Sequence, residues 1–361
     1  MIKRLLFPTL SMVLVALAAG VNAFGQNWER AVSLFNQQQY REAIREFHAV
    51  LRSNPDYWQA WYYVGAAHYQ LKDYEDAIDS FQNYIKGAGA KDKEQITASY
   101  FIGFSYYQLK QYDKAIPYLT RYISTSEKLR EKVDTKARAA LGRSYIFTEK
   151  YNEAIPVLTT AAAEMKDNAA NYYYIGFVQH KLNRDDQAVT ALSQALAIDP
   201  RDLDSLVLLG DIQLARAKQN PASAKQAIAT GEKLLAVQDT ESAWALLGQA
   251  YLLDKQFNKA APLLEKYARA HADLSSAWLN LGVADSRSSQ WKPAAAALEQ
   301  AIKLAPKNIA ALLELGYVYE SDKQYPKALS AYQQVDEISS GRDETARAGI
   351  ERVKQMMSRP Q

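Results

Sequence analysis

Residues that could hold a metal ion are few in this chain and lie far apart. Its four histidines are His48, His68, His180 and His271, and none stands in an HExxH motif or at another spacing typical of metal ligands. The segment DPRDLD at residues 199–204 resembles part of a calcium-binding loop, but it lacks the glycine and the distal glutamate of such a loop. Aspartate is also a common helix cap. The sequence therefore predicts no metal or cofactor site.

Motifs of catalysis are also missing. The segment GAGA at residues 87–90 follows no predicted β-strand and does not lead to the GK[ST] of a phosphate-binding loop. No G-x-S-x-G motif occurs, and a chain without cysteine has no thiol nucleophile. We therefore expect a protein that is not an enzyme and has no catalytic residue.

The charge of the chain gives no indication of nucleic-acid binding. The 361 residues have a formal net charge of +3, and Lys3 and Arg4 supply two of these positive charges in a segment that we expect to be removed. The remainder is close to neutral, whereas nucleic-acid binding needs a concentrated basic face. At 48% hydrophobic residues, the chain is long enough for two ordinary domains or one elongated domain.

The first residues have the composition of a secretory signal. Lys3 and Arg4 form a positive start, residues 5–21 are mostly apolar, and VNA at residues 21–23 offers small residues to a signal peptidase. We predict cleavage near Ala23 and a periplasmic or secreted protein; an uncleaved membrane anchor is the alternative. The absence of cysteine excludes a lipoprotein anchor. No later stretch is apolar enough to cross a membrane.

The rest of the chain is organised by a repeat. Glycines recur every 34 to 39 residues, at Gly65, Gly103, Gly142, Gly176, Gly210, Gly248, Gly282 and Gly316. An alanine follows each glycine by twelve residues, at Ala77, Ala115, Ala154, Ala188, Ala222, Ala260, Ala294 and Ala328. An earlier unit fits the same frame with Ala31 and Ala43, which gives nine units.

Helix periodicity explains the glycines. When each glycine is counted as position 8, positions 4, 7, 8 and 11 form one stripe of a helix, and position 20 falls on a second helix. Glycine costs a helix about 1 kcal/mol of propensity relative to alanine. We expect the small residues at positions 8 and 20 to face each other, so that two helices of a hairpin approach closely.

This frame resembles the tetratricopeptide repeat family over residues 24–338. The large residues of the pattern are Trp61, Trp244 and Trp278 at position 4, Tyr106, Tyr145, Tyr251 and Tyr319 at position 11, and Phe81, Leu119, Leu158, Leu192, Leu264 and Leu298 at position 24. The resemblance implies an all-α, right-handed superhelical solenoid of about nine helical hairpins. Residues 339–361 are expected to form a capping helix and tail, with Ala346, Ile350, Val353 and Met357 as its apolar stripe.

Three intervals depart from the period of 34. We interpret the first, at residues 86–93, as a glycine-containing linker, and the second, at residues 125–134, as an extended helix. The third, at residues 217–226, lengthens a turn or its flanking helices. Each should disturb the repeat locally.

The side of the first helices opposite the core stripe is unusually aromatic. In this family the first helices line a groove, so the resemblance implies an aromatic binding groove over units one to five. Its residues are Trp28, Phe35, Tyr62, Tyr69, Tyr100, Phe104, Tyr107, Tyr173 and Phe177, with positive charge at Lys136, Arg143, His180 and Lys181. Alternatively, single rings merely pack between neighbouring helices. The Lys/Asn/Arg clamp with which some family members bind acidic tails is absent, because its positions hold Trp28, Val32, Tyr62, Ala66, Thr97 and Tyr100.

These features favour a non-catalytic scaffold of the bacterial cell envelope that binds a partner peptide or helix in the groove. The alternative is a carbohydrate-binding scaffold in envelope polysaccharide assembly or export. Aromatic rings stack on sugars, and Gln59, Gln70 and Gln108 could hydrogen-bond to them. No nucleic-acid partner is expected.

Overall fold

The computed structural model describes residues 20–89 and 92–358, which form nineteen α-helices and no β-strand. The helices are α1 (Gly20–Asn36), α2 (Tyr40–Ser53), α3 (Gln59–Leu71), α4 (Tyr74–Ala88), α5 (Asp92–Gln108), α6 (Tyr112–Lys128), α7 (Thr135–Phe147), α8 (Tyr151–Glu164), α9 (Ala169–Lys181), α10 (Asp185–Ile198), α11 (Leu203–Gln219), α12 (Ala224–Val237), α13 (Glu241–Leu253), α14 (Phe257–Ala270), α15 (Ser275–Arg287), α16 (Trp291–Leu304), α17 (Ile309–Ser321), α18 (Tyr325–Ile338) and α19 (Glu344–Met357). The predicted all-α fold is confirmed.

The helices α1 to α18 form nine consecutive hairpins. Each hairpin packs on the next within α1 to α8 and again within α9 to α18. The chain divides into two compact units between Lys166 and Asp167. The first unit contains the four hairpins from α1 to α8, and the second contains five hairpins and α19. The number of hairpins agrees with the repeat, whereas nothing in the repeat frame indicated this division.

Most of the predicted signal segment, residues 1–19, lies outside the described residues. The predicted cleavage site near Ala23 falls within α1, which begins at Gly20. In the part of the chain that is described, no helix combines the length and apolarity needed to cross a membrane.

The repeat glycines are required by close contacts, although the partner differs from the one expected. A methyl group added at Gly142 would lie 2.5 Å from a terminal carbon of Leu158, the position-24 residue of the same hairpin. The corresponding contacts are 2.9 Å from Gly65 to Phe81 and 2.6 Å from Gly316 to Tyr332. The large residue at position 24 therefore fills the space above the glycine, and the buried alanine at position 20 packs beside it.

A second small position recurs five residues before the glycine. Its members are all at most 1% exposed: Ala60, Ala98, Ala137, Asn171, Ser205, Ala243, Ala277 and Ala311. Six of the eight are alanine, and in a chain rich in alanine this row does not stand out from the sequence. Complete burial at each repeat leaves no room for a larger side chain on this side of the first helix.

In eight of the nine hairpins, the turn between the two helices uses a left-handed residue that is not glycine. At position 15 the backbone φ lies between 57° and 66°, at Gln38, Lys72, Lys110, Glu149, Asn183, Lys255, Ser289 and Lys323. Left-handed backbone costs a non-glycine L-residue roughly 1–2 kcal/mol. Because the same turn recurs in eight hairpins, the packing of the two helices must offset this strain.

The three irregular intervals differ in structure. The first is mainly helix, because α4 continues to Ala88, and a methyl group at Gly87 would lie 2.1 Å from Cβ of Trp58. The second extends α6 to Lys128, as predicted. The third lengthens α11 and adds a 3₁₀ turn at Pro221–Ser223.

This third interval corrects the repeat frame. Ala222 lies in the 3₁₀ turn and is exposed, so it is not the buried alanine that the frame predicted. The side chain that fills the space above Gly210 is Leu246 of the next hairpin, 2.2 Å from an added methyl group. The inserted residues shift α12 relative to the repeat positions. A side chain of α13, rather than one of α12, therefore contacts Gly210.

The final helix α19 covers the last hairpin as expected. Asp343 caps it by accepting a hydrogen bond from the amide of Ala346, and Val353 is fully buried. Met357 is 49% exposed, so the predicted apolar stripe ends one turn earlier. Gly349 faces the ring of Tyr332, and a methyl group added there would lie 2.7 Å from a ring carbon.

Candidate functional site

The candidate site of the first unit is built on its four first helices. Helices α1, α3, α5 and α7 each contact the next one in this series, and each also packs on the second helix of its own hairpin. One side of each first helix points away from the second helix of its own hairpin. At 100° per residue, positions 2, 9 and 13 lie roughly 160° from the core stripe, whereas positions 5 and 12 lie only roughly 100° from it. We call the side formed by positions 2, 9 and 13 of these four helices the first-helix face.

The rings at position 5 pack inward on their own hairpins. Trp28 lies 5.4 Å from the ring of Phe47, and Tyr62 lies 5.6 Å from the ring of Tyr84. Trp28 and Tyr62 are half-buried, and burial raises the pKa of Tyr62. These rings pack between the two helices of their own hairpin and do not line an open groove.

Tyr100, also at position 5, links three helices. Its hydroxyl donates a hydrogen bond of 2.8 Å to Asp134, whose other carboxylate oxygen accepts from the amide of Lys136 and caps α7. The amide of Asp134 in turn donates to the hydroxyl of Tyr122 on α6. Burial and the nearby Asp134 carboxylate raise the pKa of Tyr100 well above its usual range. Tyr100 is thus largely a structural residue.

The rings at position 12 form edge contacts with rings at position 17 of the same hairpin. The ring centres lie 5.5 Å apart for Phe35 and Tyr40, 5.8 Å for Tyr69 and Tyr74, and 5.7 Å for Tyr107 and Tyr112. All six rings are half-buried. Burial raises the pKa of Tyr69 to about 12. These pairs border the first-helix face and present part of their surface to it.

The position of Phe104 corrects the predicted aromatic groove. Phe104 is only 9% exposed and belongs to a hydrophobic cluster that includes Leu119 of α6 and Leu141 of α7. On a lone helix its position 9 would face solvent. Here α7 packs against α5 and covers the ring, so Phe104 does not form an open binding surface.

Position 13 is the exposed row of the first-helix face. It holds Asn36, Gln70, Gln108 and Phe147, all of them exposed. Phe147 is 53% exposed and stacks on the ring of Tyr112 at 4.4 Å. Phe147 was not among the predicted groove residues, although its place five residues after Gly142 is the signal that could have identified it.

Positive charge lies at the α7 end of the face. Lys136 is exposed at position 2, and Arg143 is half-buried at position 9. Among the ion pairs of residues 20–89 and 92–358, none involves Lys136. The lysine is therefore available to a ligand.

The second unit contains the remaining predicted groove residues. Tyr173 and Phe177 are half-buried on α9, and burial together with Asp204 raises the pKa of Tyr173 to about 12. The ammonium group of Lys181 lies 5.4 Å from the ring centre of Phe177. Nδ1 of His180 lies 2.7 Å from a carboxylate oxygen of Asp185. These contacts involve the second unit alone and are separate from the first-helix face.

One histidine is closer to carboxylates than the sequence indicated. Within the described residues, the one group of three potential metal ligands is His68, Asp73 and Asp76, with Nδ1 of the histidine 3.6 and 3.9 Å from the two carboxylates. Both aspartates are exposed, and exposed acidic groups near a histidine are common without a metal. We assign no metal site to this group.

Comparison with known families identifies the repeat. Family models of the tetratricopeptide repeat match residues 29–93 and 279–343, residues 96–128, and residues 148–208. Together these matches cover more than half of the chain. The chain belongs to the tetratricopeptide repeat family. Its hairpins are therefore tetratricopeptide repeats. The first-helix face is formed by the first helices of the four repeats in the first unit. No curated protein matches the chain.

Solved tetratricopeptide repeat structures resemble parts of the chain. A crystal structure of YrrB, described as having an unusual peptide-binding site, is 18% identical and covers 54% of this chain and 97% of its own, with a TM-score of 0.49. A structure of MamA is 21% identical, with 48% and 92% covered and a TM-score of 0.44. MamA from Desulfovibrio magneticus is 22% identical, with 49% and 97% covered and a TM-score of 0.43. We draw no functional conclusion from similarities at this level.

Proposed function

We propose that this protein is a non-catalytic scaffold that binds a protein partner, as a peptide or a helix, at the first-helix face. The observation that supports this most is the exposed ring of Phe147, which stacks on Tyr112 beside half-buried aromatic pairs. Exposed apolar groups that adjoin one another on a soluble protein typically mark a binding surface. A partner that buried Phe147 would gain the large area that aromatic anchors contribute to interfaces.

We further propose that the protein acts in the bacterial cell envelope, after export and cleavage near Ala23. The support is the sequence of residues 1–23, with its positive start, apolar run and small residues before the cleavage site. The mass of the mature protein tests this part. A protein that is found in the cytoplasm with Met1 still present would contradict this part of the proposal.

Carbohydrate binding is the second candidate. It is favoured by the aromatic pairs at positions 12 and 17 together with the exposed amides of Gln70 and Gln108. Against it, positions 2, 9 and 13 of the first unit contain no aspartate or glutamate. Sugar sites usually place carboxylate or amide groups beside the stacking ring, and these positions offer amides alone, so we rank this candidate below protein binding.

The proposal is tested by capture from the cell envelope. The purified mature chain, chemically cross-linked to its neighbours in envelope extract, should retain a protein, and Phe147→Ala should lose most of it. The matched control is Leu129→Ala, which removes a 37% exposed side chain elsewhere in the first unit. Equal capture by both variants, or retention of polysaccharide in place of protein, would contradict the proposal.

A further inference from the structure

Two clefts between second helices of the second unit share one arrangement of tyrosine, glutamate and lysine. In the cleft between α12 and α14, Tyr251 at position 11 of α13 donates a hydrogen bond of 2.6 Å to Glu232. The ammonium group of Lys259, at position 19, lies 5.2 Å from the centre of the same ring. Two hairpins further on, Tyr319 donates a hydrogen bond to a glutamate of α16, and Lys327 lies 5.1 Å from its ring centre. In each cleft, the chain itself therefore supplies a hydroxyl donor and a cation beside the glutamate.

The hairpin between these two, formed by α15 and α16, departs from the arrangement. Its position 11 is Asp285, which is only 9% exposed, and its position 19 is Pro293 instead of a lysine. Burial and the Glu265 carboxylate of α14 raise the pKa of Asp285 to about 6, which places the two acids near each other. Within the described residues, the Asp285 carboxylate takes part in no hydrogen bond or ion pair, and neither of its oxygens is fully enclosed. A buried acid that a ligand can reach is thus left without a partner.

The cations on the flanking helices do not neutralise this acid. Arg269 donates two hydrogen bonds, of 3.0 and 2.6 Å, to Oε1 of Glu265, and both side chains are largely exposed. Lys292 of α16 is exposed and forms no ion pair with any of the described residues. Exposed ion pairs contribute little to stability, whereas an unpaired buried charge is costly. A cation from outside the chain would therefore be stabilised most at Asp285.

An apolar cleft lies on the other side of α14. Its volume is about 560 Å³, and its apolar wall comes from α12, α13 and α14, with Leu235, Leu247, Pro262 and Leu263. This volume lies in the range of ligand-binding clefts. Because α14 contributes both to this cleft and, through Glu265, to the acidic pair, the two features are neighbours within the second unit.

We propose that the second unit binds a basic segment of a partner protein on the side formed by its second helices, with an arginine between Asp285 and Glu265 and an apolar side chain in the cleft between α12 and α14. A guanidinium group carries five N–H donors in a planar fork, so it can bind two carboxylates at once. The two clefts lie on opposite sides of α14, so one ligand must cross this helix to occupy both. A polypeptide chain can do this, whereas a small cation cannot. The surface is separate from the first-helix face, which belongs to the first unit.

The probe is a synthetic peptide that depends on the buried acid. Random dodecamers displayed on phage are selected on the purified protein and then depleted on Asp285→Asn, so that the remaining clones require the carboxylate. We expect these clones to share an arginine and an apolar residue, and one is synthesised for isothermal titration calorimetry. Asp285→Asn should weaken its binding at least roughly tenfold, the effect of losing a hydrogen bond to a charged group. The matched control is Asp273→Asn, an exposed aspartate just before α15, which should bind as the parent does.

A double-mutant cycle then tests the contact between arginine and acid. Citrulline in place of the peptide arginine removes the charge and keeps the shape of the side chain. Citrulline and Asp285→Asn should each weaken binding, and the two together should weaken it little more than either alone. In the same way, Leu263→Ala should weaken binding of the parent peptide and have little effect once the apolar residue of the peptide is alanine. Circular dichroism should show unchanged helicity for both protein variants.

Several outcomes would overturn this inference. It is wrong if no clone depends on Asp285, if the dependent clones lack an arginine, or if the losses from citrulline and Asp285→Asn simply add. It is also wrong if free arginine or calcium ions displace the peptide at the concentration of the peptide itself, because the site would then bind a small cation. If the selected peptides bind through Phe147 alone, the proposed function stands and this inference fails.

Discussion

Single residues of the first unit divide into those that stabilise the fold and those that are open to a partner. Tyr100 and Phe104 were expected in the second group, but hydrogen bonding and burial place them in the first. Phe147 and Gln70 are exposed and make no comparable contact with the core. For Tyr100 the distinction follows from angle, since position 5 lies roughly 100° from the core stripe and the side chain reaches Asp134. Phe104 is buried because α7 covers it.

The structural role of Tyr100 predicts a loss of stability on removing its hydroxyl. Tyr100→Phe leaves the Asp134 carboxylate short of one hydrogen bond, which should lower the free energy of unfolding by about 1–2 kcal/mol in chemical denaturation. Partner binding should change little. Tyr107→Phe, on the same helix, is the control and should unfold as the parent does. If Tyr100→Phe reduced partner binding without changing the free energy of unfolding, Tyr100 would be a binding residue and the structural assignment would be wrong.

A buried acid in the second unit predicts how stability depends on pH. Asp285 is 9% exposed and occupies position 11, where Tyr251 and Tyr319 each donate a hydrogen bond to a glutamate of the preceding hairpin. Burial and the Glu265 carboxylate raise the pKa of Asp285 to about 6. The folded state therefore binds more protons than the unfolded state between about pH 4 and pH 6.

The free energy of unfolding should consequently fall as the pH rises through this window and remain lower above it. Asp285→Asn removes the titrating group, so its stability should vary less over the same range. The matched control, Asp273→Asn, changes an exposed aspartate and should follow the parent. Denaturation at pH 4, 5, 6 and 7 measures the effect. A parent stability that rises between pH 4 and 6 while Asp285→Asn follows it would contradict the assignment.

At the scale of the hairpin, the glycines at position 8 set the distance between the two helices. Gly142→Ala places a methyl group 2.5 Å from Leu158 and should destabilise the protein by about 1–3 kcal/mol through overpacking. Gly25→Ala has nothing within 4 Å and should change the free energy of unfolding by less than about 0.5 kcal/mol. Gly89 also has free space around it, but its backbone φ is 69°, so any other residue there would be strained and it cannot serve as the control. Similar losses from both substitutions, measured by urea denaturation, would show that the close contact does not limit stability.

The turns at position 15 predict a stabilising substitution. Lys110 has φ of 58°, so Lys110→Gly relieves left-handed strain and should raise the free energy of unfolding by about 0.5–1 kcal/mol. Arg121→Gly, in the interior of α6, should lower it by about 1 kcal/mol. Both are read from the same denaturation experiment. A loss of stability in Lys110→Gly would mean that the lysine side chain contributes more than the strain costs.

Much of this element-level organisation could be predicted from the sequence. The glycine and alanine rows define the hairpins because close packing permits only small residues there, and seven of the eight predicted alanines are buried as expected. Ala222 was misplaced because an insertion shifts α12, and the spacing alone does not show which side of the turn absorbs it. The buried row at position 3 was missed because alanine is common on every side of these helices.

The candidate site was less predictable for a physical reason. A helical wheel gives the direction of a side chain but not the neighbour that covers it, so Phe104 was expected to be open and is buried. Phe147 lay one position beyond the aromatic positions that the pattern emphasised. Both errors concern contacts between hairpins, which depend on how one repeat packs on the next.

At the scale of the whole molecule, nine hairpins and a final helix are divided between two compact units. The first unit contains the row of exposed amides and Phe147, and its face has no acidic residue at positions 2, 9 or 13. The second unit has acidic residues at the corresponding positions, such as Asp204 and Asp211. We propose partner binding at the first unit because of the exposed ring of Phe147, and the absence of acidic residues is a second difference from the other unit.

The central claim is that a protein partner contacts the first-helix face, and site-specific photo-cross-linking in the cells that make the protein tests it most directly. A benzophenone amino acid in place of Gln108 should yield a discrete adduct with a protein on irradiation. The same group in place of Asn83, exposed on α4 of the same unit, should yield none. An adduct at both sites, or at neither while the protein is folded and in its own compartment, would contradict the account.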